Sequence, residues 1–302
     1  MNDLPTEETV RSPLSDAEGC RFICKVKDHA VRGEWFSLYE DYAYKCLFTH
    51  PQPKAGQMAK YYASDEYLSH NKTNSGLFAK LFYTAQLYTI RRKYRLLKAQ
   101  LPSPKNKLLD FGCGTGEFAG FVKSKKWDVT CTEPSEKAAS YSKKEHQLDV
   151  YEDLETLPQE KTFDAITAWH VLEHVHEPGK TLEKLRALLN DDGCLILALP
   201  NYKSTDARFY KEMWAGLDVP RHLYHFSPES VQNLSERHGF EVIRVKRMML
   251  DAFYVSLLSE KYFKTGFAGI PGALAVGLWS NITALISKNR CSSLIYILKK
   301  RS

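Results

Sequence analysis

The residues best suited to chemistry lie in one run, Leu108-Leu109-Asp110-Phe111-Gly112-Cys113-Gly114-Thr115-Gly116-Glu117-Phe118. Glycines let a backbone turn tightly and approach a ligand closely. A dinucleotide site needs Gly-x-Gly-x-x-Gly. Here the third glycine arrives one residue early, at Gly116, and Glu117 stands at the fingerprint position. A pyrophosphate is also disfavoured by the carboxylate of Asp110. Three readings follow: a glycine turn without a ligand, a dinucleotide site, or a site for a phosphate-free, positively charged ligand.

S-adenosylmethionine (SAM) is such a ligand, because an acid can hold its sulfonium and amino group. Glu133, in Val129-Thr130-Cys131-Thr132-Glu133-Pro134, follows the next strand, where a carboxylate accepts both ribose hydroxyls. Dinucleotide sites share this feature, so it does not discriminate. Asp153 follows a third strand and suits the adenine amino group or, taken alone, a surface cap. Methyl transfer from such a cofactor needs alignment, and some acceptors need a base.

Trp169 and His170 lie just past another strand and face the expected methyl position. His170 is read as an acceptor contact or general base, or else as a pocket wall. Glu173 directly precedes His174, so His170, His174 and His176 lack the His-Glu-x-x-His zinc pattern and no metal is assigned. Arg221, His222, Tyr224 and His225 form a substrate-side group. Arg221 suits an acceptor carboxylate or phosphate, or an ordinary ion pair. Tyr61, Tyr62 and Tyr67 are read as packing residues or a lid.

The elements that must position these groups read as alternating strands and helices. An amphipathic helix is expected over 75–101, with Phe78, Leu81, Phe82 and Ala85 on one face and Pro102 and Pro104 ending it. Strands are expected over 107–111, 129–132, 163–168, 194–199, 241–248 and 293–299. Helices are expected over 118–127, around Leu182–Leu189 up to Asn190-Asp191-Asp192-Gly193, and after Ser227-Pro228-Glu229. The pattern predicts a doubly wound, Rossmann-like α/β sheet of seven strands. Residues 1–19 read as a disordered tail and 20–74 as a small appendage. The main domain then runs over 75–302, with an acceptor-side insertion around 251–290.

The 302 residues are 43% hydrophobic and 26% charged, enough for a sizeable core, and the net charge of +6 permits an anionic partner without requiring one. Seven cysteines without a dense framework, and no secretory leader, predict free thiols in a cytoplasmic setting. Residues 265–287 carry no charge and are long enough to cross a bilayer, but five glycines and prolines among them favour a buried or pocket-covering helix. Contact with a membrane surface stays open. Together with 251–262 this segment suggests an apolar pocket for a lipid-like or aromatic acceptor.

The motif from Leu109 to Gly116 resembles the first motif of class I SAM-dependent methyltransferases. The run Phe163-Asp164-Ala165-Ile166-Thr167-Ala168-Trp169-His170-Val171-Leu172-Glu173-His174-Val175 with Pro178 resembles a later motif, and Leu199-Pro200-Asn201 fits as well. Trp214 with Pro220-Arg221-His222-Leu223-Tyr224-His225-Phe226-Ser227-Pro228 is similar to a bacterial small-molecule-type subgroup. The resemblance runs from about residue 61 to the C-terminus. It implies a SAM site at Asp110, Gly112, Cys113, Gly114, Gly116, Glu133, Pro134, Asp153, Leu154, Trp169 and His170. That subgroup often starts with a zinc-ribbon-like segment. Here Cys20 and Cys24 are followed by Cys46 alone, with Ala43 at the expected partner position, so a metal-free remnant is expected. The implied activity is methylation of a small molecule. RNA methylation is the alternative suggested by the basic stretch 91–98 and the tail Lys299-Lys300-Arg301, and a non-catalytic SAM-binding protein is a third reading.

Overall fold

A computed structural model describes residues 10–62, 77–101 and 106–301. Tyr67, Pro102 and Pro104 lie outside the described residues.

The chain begins with an antiparallel sheet: β1 (Arg21–Lys27), β2 (Trp35–Asp41) and β3 (Cys46–His50). A late strand, β9 (Tyr224–His225), adds to its edge through β3. The appended unit is therefore tied to the body by main-chain hydrogen bonding. The tail expected over 1–19 is packed from Val10 onward: Val10 and Ser12 are buried, and Ser15 Oγ donates to Asp41.

The main sheet has seven strands in the order β10-β11-β8-β7-β4-β5-β6. They are β4 (Lys107–Phe111), β5 (Asp128–Thr132), β6 (Asp149–Tyr151), β7 (Phe163–Trp169), β8 (Leu189–Pro200), β10 (Phe240–Arg247) and β11 (Ser293–Lys300). β8, β7, β4, β5 and β6 are parallel, and β11 runs antiparallel to both of its neighbours. The central strands β7 and β8 are near-continuous apolar runs because helices cover both faces. One face packs under α1 (Leu77–Lys98) and α2 (Glu117–Lys123), through Leu97, Leu108, Val122 and Ile196. The other packs under α4 (Pro178–Leu188) and α6 (Pro228–Arg237), through Leu182, Leu197 and Leu234. α3 (Glu136–His146) joins β5 to β6, with Ser135 accepting at its N-cap.

Two boundaries differ from the sequence pattern. α2 ends at Lys123, four residues short of Trp127. The turn expected at Asn190-Asp191-Asp192-Gly193 is absorbed into β8, whose pairing with β7 shifts register between Phe163 and Ala165. Asn190–Gly193 fall between the pairs Phe163–Leu189 and Ala165–Cys194 and have no partner of their own in that register, so these turn-forming residues sit as an irregularity within the strand. Two further helices, α7 (Asp251–Tyr262) and α8 (Gly269–Ile286), form a hairpin between β10 and β11, and α5 (Thr205–Tyr210) packs beneath it.

Candidate active site

The order of β8, β7, β4 and β5 places a switch point between β4 and β7, where open α/β sheets bind ligands at the carboxyl edge. The glycine loop leaves β4 at that point. Gly112, Gly114 and Gly116 all have positive φ, at 71°, 56° and 83°. A Cβ on Gly112 would lie 2.6 Å from Val171, and one on Gly116 would lie 2.8 Å from Leu148 and Ser142. A Cβ on Gly114 would meet nothing within 4 Å, so the loop is open at its tip.

The amides of this loop are already used. Those of Gly112 and Cys113 donate to Thr132 O at 2.9 and 3.0 Å, and that of Gly116 donates to Cys113 O at 3.0 Å. The amide of Gly114 donates to Glu133 Oε2 at 2.8 Å, and Glu133 Oε1 accepts from the Ser135 amide at 2.9 Å. A phosphate would thus find these four amides engaged and the Glu133 carboxylate against the loop, which is the wrong donor set for a pyrophosphate. Carboxylate lone pairs beside an open loop suit hydroxyls and a cation.

Asp110 is buried, and Thr167 Oγ1 donates to its Oδ1 at 2.6 Å. Burial raises its pKa to about 7, against the lowering effects of Thr167 and Lys93. Burial likewise raises the pKa of Glu133. Lys93, on α1, sits with Nζ 4.2 Å from the Trp169 ring centroid, and burial lowers its pKa. Trp169 packs edge-on against Phe118 at 5.3 Å, and its indole nitrogen is buried without a hydrogen-bond partner.

His170 follows β7 with a left-handed φ of 59°, its amide donating to Ala198 O at 3.0 Å. That conformation aims the ring between two acids: Nε2 lies 3.2 Å from Asp251 Oδ2, and Nδ1 lies 3.5 Å from Glu173 Oε1. Burial alone would lower its pKa, but Asp251 and Glu173 outweigh burial and raise it to about 9. The two acids thus favour the imidazolium, an arrangement that suits the pocket-wall or acceptor-contact readings of His170 better than the general-base one. Glu173 opposes burial in the same way and stays ionised, its pKa lowered chiefly by His170.

The substrate-side residues separate. Arg221 is engaged with Asp218, its Nε donating to Oδ1 at 3.1 Å, so its guanidinium is held in an internal ion pair. Tyr224 is fully buried on β9, its hydroxyl donating to His176 O at 2.8 Å, so it packs as a core residue. His222 is buried, with Nδ1 3.0 Å from Gly216 O, and His174 has Nδ1 2.9 Å from Arg221 O. Both rings thereby direct Nε2 away from those carbonyls, and ligand-competent atoms of Glu173, His174 and His222 lie within 4.8 Å of one another. Cys20, Cys24 and Cys46 join no such group among the described residues.

Pro134 is exposed, Leu154 packs against the core, and Asp153 is exposed, its Oδ1 accepting from the Thr156 amide at 2.9 Å. Tyr61 is buried with its hydroxyl on Glu34, and the Tyr62 hydroxyl reaches His174 Nδ1 at 3.0 Å.

Lys93, Thr167, Glu173 and Asp251 were not singled out by the sequence pattern. Lys93 had a readable signal, since it shares the helix face of Ile90 and Leu97. Glu173 lies three residues after His170. Asp251 reaches the site only through the path of β10, which no local pattern announces. Between α1 and the β10–α7 junction lies a cleft of about 230 Å³ lined by Tyr88, Arg92, Leu96, Met248, Met249 and Ile295, with Lys93 and Asp251 on its wall.

A family model described as a methyltransferase domain matches residues 83–245, more than half of the chain. The chain belongs to the methyltransferase-domain family. Over 107 residues this methyltransferase domain is 33% identical to a ubiquinone biosynthesis O-methyltransferase of Haemophilus ducreyi, covering 32% of this chain and 45% of the relative. Over 101 residues it is 31% identical to a mitochondrial ubiquinone biosynthesis O-methyltransferase of Schizosaccharomyces pombe, covering 30% and 37%. The alignments thus span less than half the length of these curated relatives. Among solved structures, magnesium protoporphyrin IX methyltransferase from Synechocystis PCC 6803 with bound S-adenosylhomocysteine superimposes with a TM-score of 0.54. That match is 16% identical and covers 82% of this chain and all of that one. A cyclopropane synthase from Mycobacterium tuberculosis gives 0.51 at 15% identity, covering 83% of this chain and 100% of that one. At such identities the likeness establishes the Rossmann-like methyltransferase fold.

Proposed function

We propose that this methyltransferase domain binds SAM and transfers its methyl group to a small-molecule acceptor of lipid-like or aromatic character. One observation carries the reading. An open glycine loop with its own amides engaged lies beside the carboxylates of Asp110 and Glu133, a donor set suited to a cationic ligand without phosphate.

When bound, SAM supplies a methyl carbon already activated by its positive sulfur. Glu133 uses one lone pair per oxygen on protein amides and keeps the others for the ribose hydroxyls. Asp110, once ionised, balances the positive charge of the ligand. Gly114 leaves room for close approach to the backbone. Trp169 and the stem of Lys93 exclude water on the sheet side of the site, where alignment of donor and acceptor is worth up to about 7–11 kcal/mol. The His170 ring, both of whose nitrogens face acids, holds Asp251 at the wall of the acceptor cleft, where that carboxylate can accept from an acceptor hydroxyl; the proton released on methyl transfer to oxygen passes to water through the open cleft. The cleft between α1 and β10 is the acceptor route, because Lys93 and Asp251 form its wall and Leu96, Met248 and Met249 give it apolar surface.

Calorimetric titration with SAM and S-adenosylhomocysteine tests the cofactor. Micromolar binding that Glu133→Ala weakens at least about tenfold, the loss of one or two charge-assisted hydrogen bonds, supports the reading. A well-folded protein that binds neither compound refutes it. Labelled SAM then screens apolar, aromatic and RNA acceptors, and transfer to RNA alone would move the reading to the basic face of α1.

A further inference from the structure

Helix α8 is built inside out. Its buried residues are small or polar: Gly269, Ala273, Gly277, Ser280, Asn281, Thr283 and Ala284. These fasten the helix to the domain. Ser280 Oγ donates to Asp206 Oδ1 at 2.8 Å, Asn281 Nδ2 donates to Met249 O at 2.8 Å, and the Thr283 and Thr205 hydroxyls meet at 2.6 Å. Gly277 lets α7 approach, since a Cβ there would lie 2.7 Å from the Phe253 ring.

The large apolar residues point the other way. Leu274, Leu278, Trp279, Ile282, Leu285 and Ile286 recur every three or four residues along one exposed stripe, Trp279 at 58% and Ile286 at 80% exposure. Phe267, just before the helix, is 91% exposed. A water-facing helix has the reverse pattern. Contiguous apolar stripes of this length mark a surface made for something other than water.

The ends of the stripe are basic. Lys264 stands before it and Lys288 and Arg290 after it, all exposed, with no acidic side chain between them. Glu260, the acid nearest the first end, is engaged with Tyr210 and Thr265. The window Gly266–Ile286 has a mean hydropathy of 1.4 and the length to cross a bilayer, yet 44% of it is buried within the fold. The polar, hydrogen-bonded face keeps α8 in the domain, so only one side is available to lipid.

We propose that the outer stripe of α8 lies in the headgroup–acyl boundary of an anionic membrane, making the protein monotopic. Trp279 and the flanking cations match the chemistry of that boundary, where an aromatic ring sits at headgroup level and each Lys or Arg is drawn to the anionic surface. A second copy of the chain is a poorer occupant, because a two-fold contact through the stripe sets like-charged ends near one another. The docking rests on α8 alone. Its consequence for substrate rests on the proposed methyl transfer. The Asn281 bond to Met249 O and the Arg247 bond to Leu285 O fix the acceptor cleft beside α8, so a docked protein draws its acceptor from the membrane.

The test is co-flotation of the full chain with vesicles of phosphatidylcholine alone or with about one-third phosphatidylglycerol, and sedimentation equilibrium without lipid. The expected result is a monomer that floats about tenfold better with the anionic vesicles and loses this at high salt. Leu278→Gln/Trp279→Gln/Ile286→Gln abolishes flotation, and Lys288→Glu/Arg290→Glu abolishes the anionic preference. All five positions are exposed, so thermal unfolding and SAM titration run in parallel show that fold and cofactor site are intact. Wild-type protein that stays with neither vesicle, or flotation that the triple variant retains, overturns the proposal. So does a dimer that the triple variant dissociates, which would give the stripe to a second copy. A protein that floats but does not bind SAM keeps the docking and loses only the methyl-transfer reading.

Discussion

Asp110 is the residue whose chemistry is most exposed to test. Its pKa of about 7 is far above the ordinary carboxylate range because burial penalises its charge more than Thr167 and Lys93 support it. A cationic ligand at the carboxyl edge of β4 would favour the ionised form. SAM binding is therefore expected to release up to about one proton near pH 6 and about half of one at pH 7, and to strengthen as pH rises from about 6 to 8. Calorimetry in buffers of different ionisation enthalpy counts that proton, and Asp110→Asn should remove both the proton and the pH dependence. The neighbouring ion pair behaves oppositely. His170 is raised from 6.5 to about 9, so its contribution to stability is complete below pH 6.5 and fades as pH climbs through 9. His170→Gln should flatten that alkaline loss in thermal unfolding and lower turnover on the order of 10²-fold, the loss expected when Asp251 at the cleft wall loses the partner that positions it, with SAM affinity little changed. Unchanged turnover would leave His170 a pocket wall. Asp110 and the glycines were legible because their spacing along the chain is their spacing around a single turn, and Glu133 because it directly follows the next strand. Lys93 and Asp251 were not, because the groups they meet lie far away in sequence and are reached only through folding.

At the scale of elements, the glycine loop separates stability from binding. Gly112 and Gly116 combine positive φ with a neighbour in the space a Cβ would fill, whereas Gly114 has positive φ and open space. Left-handed backbone costs an L-residue about 1–2 kcal/mol. Gly116→Ala should cost more than that in chemical denaturation, since Leu148 and Ser142 must also move. Gly114→Ala should cost only the backbone term, yet weaken SAM binding clearly, because its methyl enters the space left for the ligand. Equal losses of affinity and stability in the two variants would contradict an open, ligand-facing tip. Strand and helix order was legible from apolar period, as β4, β5, β7, α6, β10 and β11 show. The start of β8 was not, because β7 pairs with Leu189 and then Cys194, which carries Asn190 to Gly193 along as an irregularity inside one strand. For α8 the length and lack of charge were legible, but which face turns outward depends on α5 and α7, and local period does not contain it.

The whole molecule is closed by a strand exchanged across its two units: β9, from the main domain, pairs with β3 of the appended sheet. His225 sits on that seam. Thr49 Oγ1 gives its proton to His222 O at 2.7 Å, so His225 Nε2, 3.1 Å from Thr49 Oγ1, must donate to that hydroxyl oxygen. Nδ1 then carries a bare lone pair in a buried place with no partner. Protonation would put an unsolvated charge there, and burial, with His222 nearby, lowers the pKa to about 3. His174, on the same side of the seam, is lowered to about 4 by burial and by His222. Both histidines must fold neutral, whereas in the unfolded chain they titrate near 6.5. Their contribution is thus complete above pH 6.5 and is lost as pH falls toward 4 and then 3, a penalty on the order of 3–5 kcal/mol for each buried histidine. The loss should begin at the seam. Hydrogen exchange between pH 7 and 4.5 should show β3 and β9 opening before β4 and β7, whose buried pairing does not involve these rings. His225→Gln retains a donor for Thr49 and cannot take the proton, so it should move the acid limb of the unfolding curve to lower pH while leaving stability at pH 8 nearly unchanged. If β3 and the central strands exchange together, or if the variant leaves the acid limb in place, acid unfolding starts elsewhere and the strand exchange does not govern it.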